Sequence, residues 1–158
     1  MSVIPILKKI ICYIKKKDAW VLENLTNKDH IRGALKAYKK ECFKDIGGLK
    51  STMGWDTIDE LLAQYHGWKI ETDTSLQVKH LRPTGASYSK SGMYKQGEAF
   101  YKMRYGFLLS LLATIKLGVK KKSFMYIINT IKGYQKALRH KIPYSVSEEE
   151  GIFIRDLR

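Results

Sequence analysis

Apolar residues between positions 93 and 140 recur at steps of three and four, which is the spacing of one face of an α-helix. Gly118 and the lysine run Lys120–Lys122 interrupt the pattern, so it predicts two helices, over residues 93–119 and 123–140. A chain with this pattern has to bury or cover two long apolar faces in its C-terminal half. These faces contain Phe100, Met103, Phe107, Leu108, Leu111, Leu112 and Ile115, and then Phe124, Ile127, Ile128 and Ile131.

The positive charge of the chain is concentrated in the same region. The sequence has 29 Lys and Arg against 15 Asp and Glu, which gives a formal net charge of +14. Residues 86–145 hold 12 of the basic residues and one acidic residue, whereas residues 51–85 hold three basic and five acidic residues. This balance predicts an anionic partner, which is a nucleic acid, a lipid surface or a phosphorylated substrate. Because the sequence has no helix-turn-helix, zinc-binding or RNA-binding signature, we expect no nucleic-acid partner.

The two apolar faces allow two interpretations. In the first, both helices pack on the core of the domain. In the second, they lie in the plane of the cytoplasmic leaflet with their lysines at anionic headgroups. The two cysteines, Cys12 and Cys42, are far apart in sequence and are typical of reduced thiols in a cytosolic chain, so we expect a cytoplasmic protein. The second interpretation places it peripherally on the inner face of the plasma membrane. A spanning helix needs about 20 apolar residues, and the longest uncharged run, Tyr105–Ile115, has 11.

The middle of the chain carries short structural signals. Residues 39–46 predict a short helix. Apolar residues at helical spacing predict a second helix over Asp56–His66, which Gly67 ends as a C-terminal cap residue. Trp68–Thr72 and Leu76–Leu81 predict two short strands around a turn.

Four sequence blocks follow one another in this middle region. They are HIRGALKAYKKECFKDIGGL (residues 30–49), GWDTIDE (54–60), GWKI (67–70) and VKHLRPTG (78–85). In this order and spacing they resemble family 2 glycosyltransferases. In that family a strand and a short helix end in Gly-Gly-Phe or Gly-Gly-Leu, an acidic motif opens a helix, and a Gly-aromatic-Lys strand and a strand ending in His follow.

The resemblance implies an α/β fold. Residues 1–85 are expected to form the C-terminal, acceptor-side half of a GT-A-like nucleotide-diphospho-sugar transferase core. Residues 86–145 resemble the basic, amphipathic helical extension of some bacterial members, and residues 146–158 are a tail. The implied activity is the inverting transfer of a sugar from a nucleotide-sugar donor to a hydroxyl of a sugar or lipid-linked acceptor, as in the assembly of surface polysaccharides.

Two carboxylates of the acidic block are candidates for the catalytic base. An inverting transfer needs a carboxylate that takes the proton from the acceptor hydroxyl as it attacks the anomeric carbon. By resemblance, Asp56 matches the second acid of the family's acidic pair. Trp55 stands in place of the first acid, which leaves open whether Asp56 or Asp59 faces the acceptor. The alternative role is structural, because Asp56 is a good helix N-cap and Asp59 lies favourably near the helix dipole.

Five further residues are candidates for binding. Gly47 and Gly48 let the backbone approach a ligand closely, or they simply end a helix. Trp55 is a candidate for stacking on a sugar ring, and core packing is its alternative. Arg82 is placed to pair with a diphosphate or with a surface acid. His80 is a candidate metal ligand, and a structural histidine is the other interpretation.

The donor side of the family pattern is missing from the sequence. A complete member uses an Asp-x-Asp to hold a divalent metal (Mg or Mn) and the donor diphosphate, and no Asp-x-Asp occurs in the 158 residues. We therefore expect a partial chain that is inactive alone and binds a divalent metal only as part of a complete enzyme. Uncovered strand edges predict association with itself or with the missing half. The alternative function is that of a non-catalytic, basic membrane-surface or scaffold protein derived from the same fold.

Overall fold

The computed structural model describes residues 7–16, 19–22, 36–80 and 90–158. The chain divides into two compact units. The first comprises Met1–Lys50 and Trp55–Ala86, and the second comprises Ser51–Gly54 and Ser87–Arg158.

The first unit contains a small mixed sheet and two helices within the described ranges. The strands are arranged in the order β2-β1-β3, with β2 antiparallel to β1 and β3 parallel to it. A parallel pair requires a long crossover connection, and both helices lie in the chain between β1 and β3. The elements are β1 (Leu7–Lys16), β2 (Ala19–Leu22), α1 (Lys40–Asp45), α2 (Trp55–Tyr65) and β3 (Ile70–His80).

The two strands predicted at Trp68–Thr72 and Leu76–Leu81 form one continuous strand, β3, so the predicted turn between them is wrong. The residues predicted to form the turn lie within β3, at a point where its pairing with β1 is irregular. Thr72 lies opposite Lys9, but Gln77 already lies opposite Ile11. The extra residues of β3 are therefore accommodated by a shift of register within the sheet.

Helix α2 confirms the helix predicted over Asp56–His66. Its buried side is formed by Ile58, Leu61 and Leu62, which recur at helical spacing. The helix ends at Tyr65 and is followed by the left-handed Gly67, whose φ is 77°. The backbone N–H of Trp68 donates to the carbonyl of Ala63 over 2.8 Å. This is the left-handed glycine cap that the sequence predicted.

The second unit is made of helices throughout its described elements. None of the helices in the described part of the chain is long and apolar enough to cross a membrane. The four helices are α3 (Lys90–Lys102), α4 (Gly106–Lys120), α5 (Phe124–Arg139) and α6 (Glu148–Leu157).

The single helix predicted over residues 93–119 is wrong, because the chain breaks between α3 and α4. Arg104 and Gly106 both have left-handed backbone angles, with φ of 53° and 73°. The Arg104 guanidinium is held by stacking 3.7 Å over the ring of Tyr144, and its Nε donates to the Val146 carbonyl. Contacts from a distant segment therefore stabilise a break that the helical spacing of the apolar residues does not reveal.

Helices α3 and α5 approach each other so closely that their backbones touch. A Cβ on Gly97 of α3 would lie 1.9 Å from the carbonyl oxygen of Thr130, and a Cβ on Gly133 of α5 would lie 2.1 Å from the carbonyl oxygen of Tyr94. Only glycine fits at either position. The contact between these two helices is thus set by backbone against backbone rather than by interlocking large side chains.

The α/β, GT-A-like fold expected for the chain is wrong. The described residues form six helices and three strands, and the strands make one small mixed sheet with an antiparallel edge. The expectation came from four local sequence blocks, and such blocks specify a strand or a helix over a few residues. They do not carry the long-range pairings that would extend a sheet, and the helical spacing of the C-terminal half instead gives a mainly helical protein.

Candidate functional site: the first turns of helix α2

Asp56 lies in the first turn of α2, directly after the left-handed Gly54 (φ 75°) and Trp55. A carboxylate at this position is stabilised by the helix dipole and by the unpaired backbone N–H groups of the first turn. The residue is half-buried, and its backbone carbonyl accepts a hydrogen bond from the Lys36 ammonium. Its position is therefore fixed from the side of a segment 20 residues earlier in the chain.

Asp59 lies one turn further along the same helix and is buried, with 1% of its surface exposed. Its Oδ1 is 2.6 Å from Lys36 Nζ, and its Oδ2 accepts a hydrogen bond from the Tyr38 hydroxyl. Both carboxylate oxygens thus have a partner within the protein. This arrangement satisfies the carboxylate without any ligand.

Glu60 completes a buried cluster of charges with Lys36. Its Oε1 lies 3.0 Å from Lys36 Nζ, and both side chains are almost fully buried. Burial is the largest influence on Asp59 and raises its pKa, while the Lys36 ammonium and the Tyr38 hydroxyl act in the opposite direction and the Glu60 carboxylate adds to the rise. Burial and the hydrogen bond to Asp59 likewise raise the pKa of Tyr38, so its hydroxyl stays protonated and remains a donor.

Besides Glu60, the members of this site that sequence reasoning missed are Lys36 and Tyr38. They belong to the segment Lys36–Lys39, which has no regular secondary structure and precedes α1. The sequence offered one signal for Lys36, which is its position inside the apolar run Ala34-Leu-Lys-Ala37. A lysine that is buried in a protein is usually paired with an acid. No local spacing links it to a carboxylate 23 positions later.

Trp55 is half-buried beside this cluster. Its ring centroid lies 5.9 Å from Lys36 Nζ, within the range of a cation–π contact. The ring thus helps to hold the ammonium in the cluster. Sugar stacking by Trp55 stays a prediction.

Gly47 and Gly48 form the turn that ends α1. Both have left-handed backbone angles, with φ of 67° and 70°, which glycine adopts without strain. The N–H of Gly48 donates to the Phe43 carbonyl over 3.0 Å, and that of Gly47 to the Lys44 carbonyl over 2.9 Å. The structure shows a helix-ending role for both glycines, while contact with a ligand stays a prediction.

The two remaining candidates lie at or beyond the end of β3. His80 is the last residue of that strand, and its backbone lies opposite Ile14 of β1. Arg82 lies outside the described residues. Among the residues whose side chains are described, no group of three or more His, Cys, Asp and Glu side chains comes close enough together to hold a metal ion. A divalent metal therefore stays a prediction for a complete enzyme.

Comparison of the chain with protein-family models, with curated proteins and with solved structures gives no match in any of the three.

Proposed function

We propose that this protein supplies the acceptor-activating carboxylate of a glycosyl transfer and that Asp56 is this carboxylate. The sequence blocks that resemble family 2 glycosyltransferases support the reaction class. The observation that carries the choice of residue is the difference between the two acids of α2. Asp59 is buried, with 1% of its surface exposed, whereas Asp56 in the first turn is only half-buried.

In this proposal the carboxylate of Asp56 accepts the proton of an acceptor hydroxyl. The hydroxyl oxygen forms a bond to the anomeric carbon of the donor sugar, and the bond from that carbon to the nucleoside diphosphate breaks. The diphosphate leaves with the electron pair, and the configuration at the anomeric carbon is inverted. Lys36, Asp59 and Glu60 act as positioning residues, because their buried ion pairs fix the first two turns of the helix that carries Asp56.

In this proposal the donor is bound by a separate part, since the 158 residues contain no Asp-x-Asp, the motif that holds the metal and donor diphosphate in the family that the blocks resemble. The chain alone is therefore proposed to bind an acceptor but not to turn over a nucleotide sugar. This separation makes acceptor binding the property to test on the chain as it stands.

The experiment is a titration of the ¹⁵N-labelled full chain with a panel of mono- and oligosaccharide acceptors. Binding is monitored through the NMR signals of the backbone amides and of the tryptophan indoles. We expect shifts at Asp56 and at the indole of Trp55, and their loss in Asp56→Asn. The matched control is Asp156→Asn, an exposed acid of α6, which is expected to leave the shifts unchanged. Sugar-induced shifts that spare the first turn of α2, or no shift with any sugar, would contradict the proposal.

A further inference from the structure

Helix α4 turns small and polar residues toward the protein. Ser110, Thr114 and Gly118, spaced four apart, are buried, with 1% of Thr114 exposed. The Ser110 hydroxyl donates to the Gly106 carbonyl over 2.6 Å, so this polar group is satisfied within its own helix. A Cβ on Gly118 would lie 2.2 Å from Cγ1 of Ile127, which shows that this side packs directly against α5.

The opposite side of α4 is apolar and exposed. Leu108 and Val119 are each 70% exposed, and Leu112 and Ile115 between them are exposed as well. These four residues are spaced i, i+4, i+7 and i+11, so they form one continuous stripe along the helix. A helix of a soluble protein normally turns such a stripe inward. We call the four residues the α4 stripe.

Further exposed apolar side chains lie next to the α4 stripe in the chain. Phe107 precedes it, and Phe124, which is 73% exposed, and Met125 begin α5 after a three-residue connection. Scattered exposed apolar residues are ordinary, but a contiguous set indicates a surface that another phase or molecule covers.

The charge around the α4 stripe has a single sign. Residues 99–147 contain ten Lys and Arg and no Asp or Glu. Lys116 and Lys120 follow Ile115 and Val119 directly and are exposed, as are Lys121 and Lys122 in the connection to α5. What covers this face therefore has to combine an apolar phase with negative charge.

A bilayer surface with anionic lipids meets both requirements, since its acyl region takes apolar side chains and its headgroups attract lysines. A second copy of the chain would bring two equally basic faces together, which like-charge repulsion opposes. A nucleic acid offers phosphates to the lysines but no apolar phase for four aliphatic side chains.

We infer that α4 is a membrane-docking helix that lies on an anionic bilayer surface, with the α4 stripe at the boundary between headgroups and acyl chains. Lys116, Lys120 and Lys122 reach the headgroups. This inference rests on the exposed face of α4 and is independent of the proposed transfer reaction.

The experiment is co-sedimentation of the full chain with vesicles of phosphatidylcholine alone and with vesicles that also contain about 30% phosphatidylserine, at low and high salt. We expect binding to the anionic vesicles that weakens with salt. The double change Leu108→Gln and Leu112→Gln is expected to weaken it by about tenfold or more, because it removes two apolar side chains from the lipid contact. The double change Lys116→Gln and Lys120→Gln is expected to weaken it by up to about 25-fold and to flatten its salt dependence.

The matched control is the double change Ile152→Gln and Leu157→Gln, which alters two exposed apolar residues of α6 instead. It is expected to leave vesicle binding unchanged. Helical circular dichroism spectra equal to that of the unchanged chain establish that each variant is folded.

Three outcomes would overturn the inference. One is a chain that stays in the supernatant with anionic vesicles at low salt. Another is an equal loss of binding in the α4 and α6 double variants. The third is a concentration-dependent dimer in size-exclusion chromatography that the Leu108→Gln and Leu112→Gln change abolishes, since a second copy would then cover the α4 stripe.

Discussion

The ammonium of Lys36 lies 2.6 Å from Oδ1 of Asp59, and neither side chain is accessible to water. The pair joins a segment without regular secondary structure to the second turn of α2. Together with the hydrogen bonds from Lys36 to the Asp56 carbonyl and from Tyr38 to Asp59, it ties the segment Lys36–Lys39 to the helix that carries Asp56.

Removing the cation of this pair is expected to destabilise the protein strongly. Lys36→Met leaves the Asp59 and Glu60 carboxylates buried without their ammonium, and the loss of one partner of a buried pair costs about 3–5 kcal/mol. The loss is measured as the decrease in the free energy of unfolding, determined by urea denaturation. Lys36→Met combined with Asp59→Asn is expected to recover part of the loss, because the amide carries no charge and still accepts from Tyr38. Lys44→Met, at an exposed lysine of α1, is the control and is expected to change stability by less than about 0.5 kcal/mol. An unfolding free energy of Lys36→Met equal to that of Lys44→Met would contradict the role of the pair.

Asp56→Asn is expected to separate catalysis from stability. In a complete enzyme that joins this chain to a donor-binding part, the change should lower kcat by a factor of about 10²–10⁴, the usual contribution of a positioned base. Urea unfolding is expected to show a change of only about 1 kcal/mol or less, the value of a first-turn carboxylate. For Asp59→Asn we expect a larger loss of unfolding free energy than for Asp56→Asn. Its kcat in the folded fraction is expected to fall less than that of Asp56→Asn. A complete enzyme in which Asp56→Asn retains full kcat would refute the assignment of the base.

Cys42 is expected to resist alkylation while the protein is folded. Its side chain is fully buried, and burial, with smaller contributions from Asp45 and Asp59, raises the pKa of its thiol to about 11. At pH 8 the thiolate fraction is then about a hundredfold lower than for an unperturbed thiol. Because the pKa is higher in the folded than in the unfolded chain, this group's contribution to stability is complete below about pH 9 and is lost as the pH rises toward 11. Iodoacetamide labelling of Cys12→Ser, read by mass spectrometry, reports Cys42 alone. Fast labelling at pH 8 that urea does not accelerate would show that the thiol is accessible.

Gly97→Ala is expected to destabilise the second unit even though alanine is the better helix former. The new Cβ would meet the Thr130 carbonyl oxygen at 1.9 Å and the Tyr134 backbone nitrogen at 2.6 Å, and neither backbone atom can turn away as a side chain could. Overpacking of this kind costs about 1–3 kcal/mol, against a gain of up to about 1 kcal/mol in helix propensity. Lys95→Ala, at an exposed position of the same helix, serves as the reference in urea unfolding. A variant more stable than the natural chain would mean that α3 and α5 do not touch in this way.

The parts of the fold that follow from short-range patterns were predictable from the sequence. The helix over Asp56–His66 was one, because its apolar spacing and the glycine after it both act within a few residues. The break at Arg104 was not, since it depends on Tyr144 and Val146, which are about 40 positions later. The pairing of β1 with β3 depends in the same way on residues 63 to 66 positions apart, and the Lys36 cluster depends on residues 20 to 24 positions apart. Asp56 and Asp59 were predicted as site residues, whereas Lys36 and Tyr38 lie in the first sequence block but were not recognised as their partners.

The pairing of β1 with β3 also has a consequence for how the chain reaches its final state. β1 is made first and β3 only after more than 50 further residues, so one side of β1 lacks its neighbour throughout that part of synthesis. Contacts between strands so distant in sequence form slowly. An unpaired strand edge can pair with another chain and so promotes aggregation. The contact between α3 and α5 joins residues that are closer in sequence, 33 positions apart for Gly97 and Thr130. A ribosome that pauses before His80 is therefore expected to hold a nascent chain that needs protection by chaperones, and slow translation of that stretch should lower the yield of soluble protein.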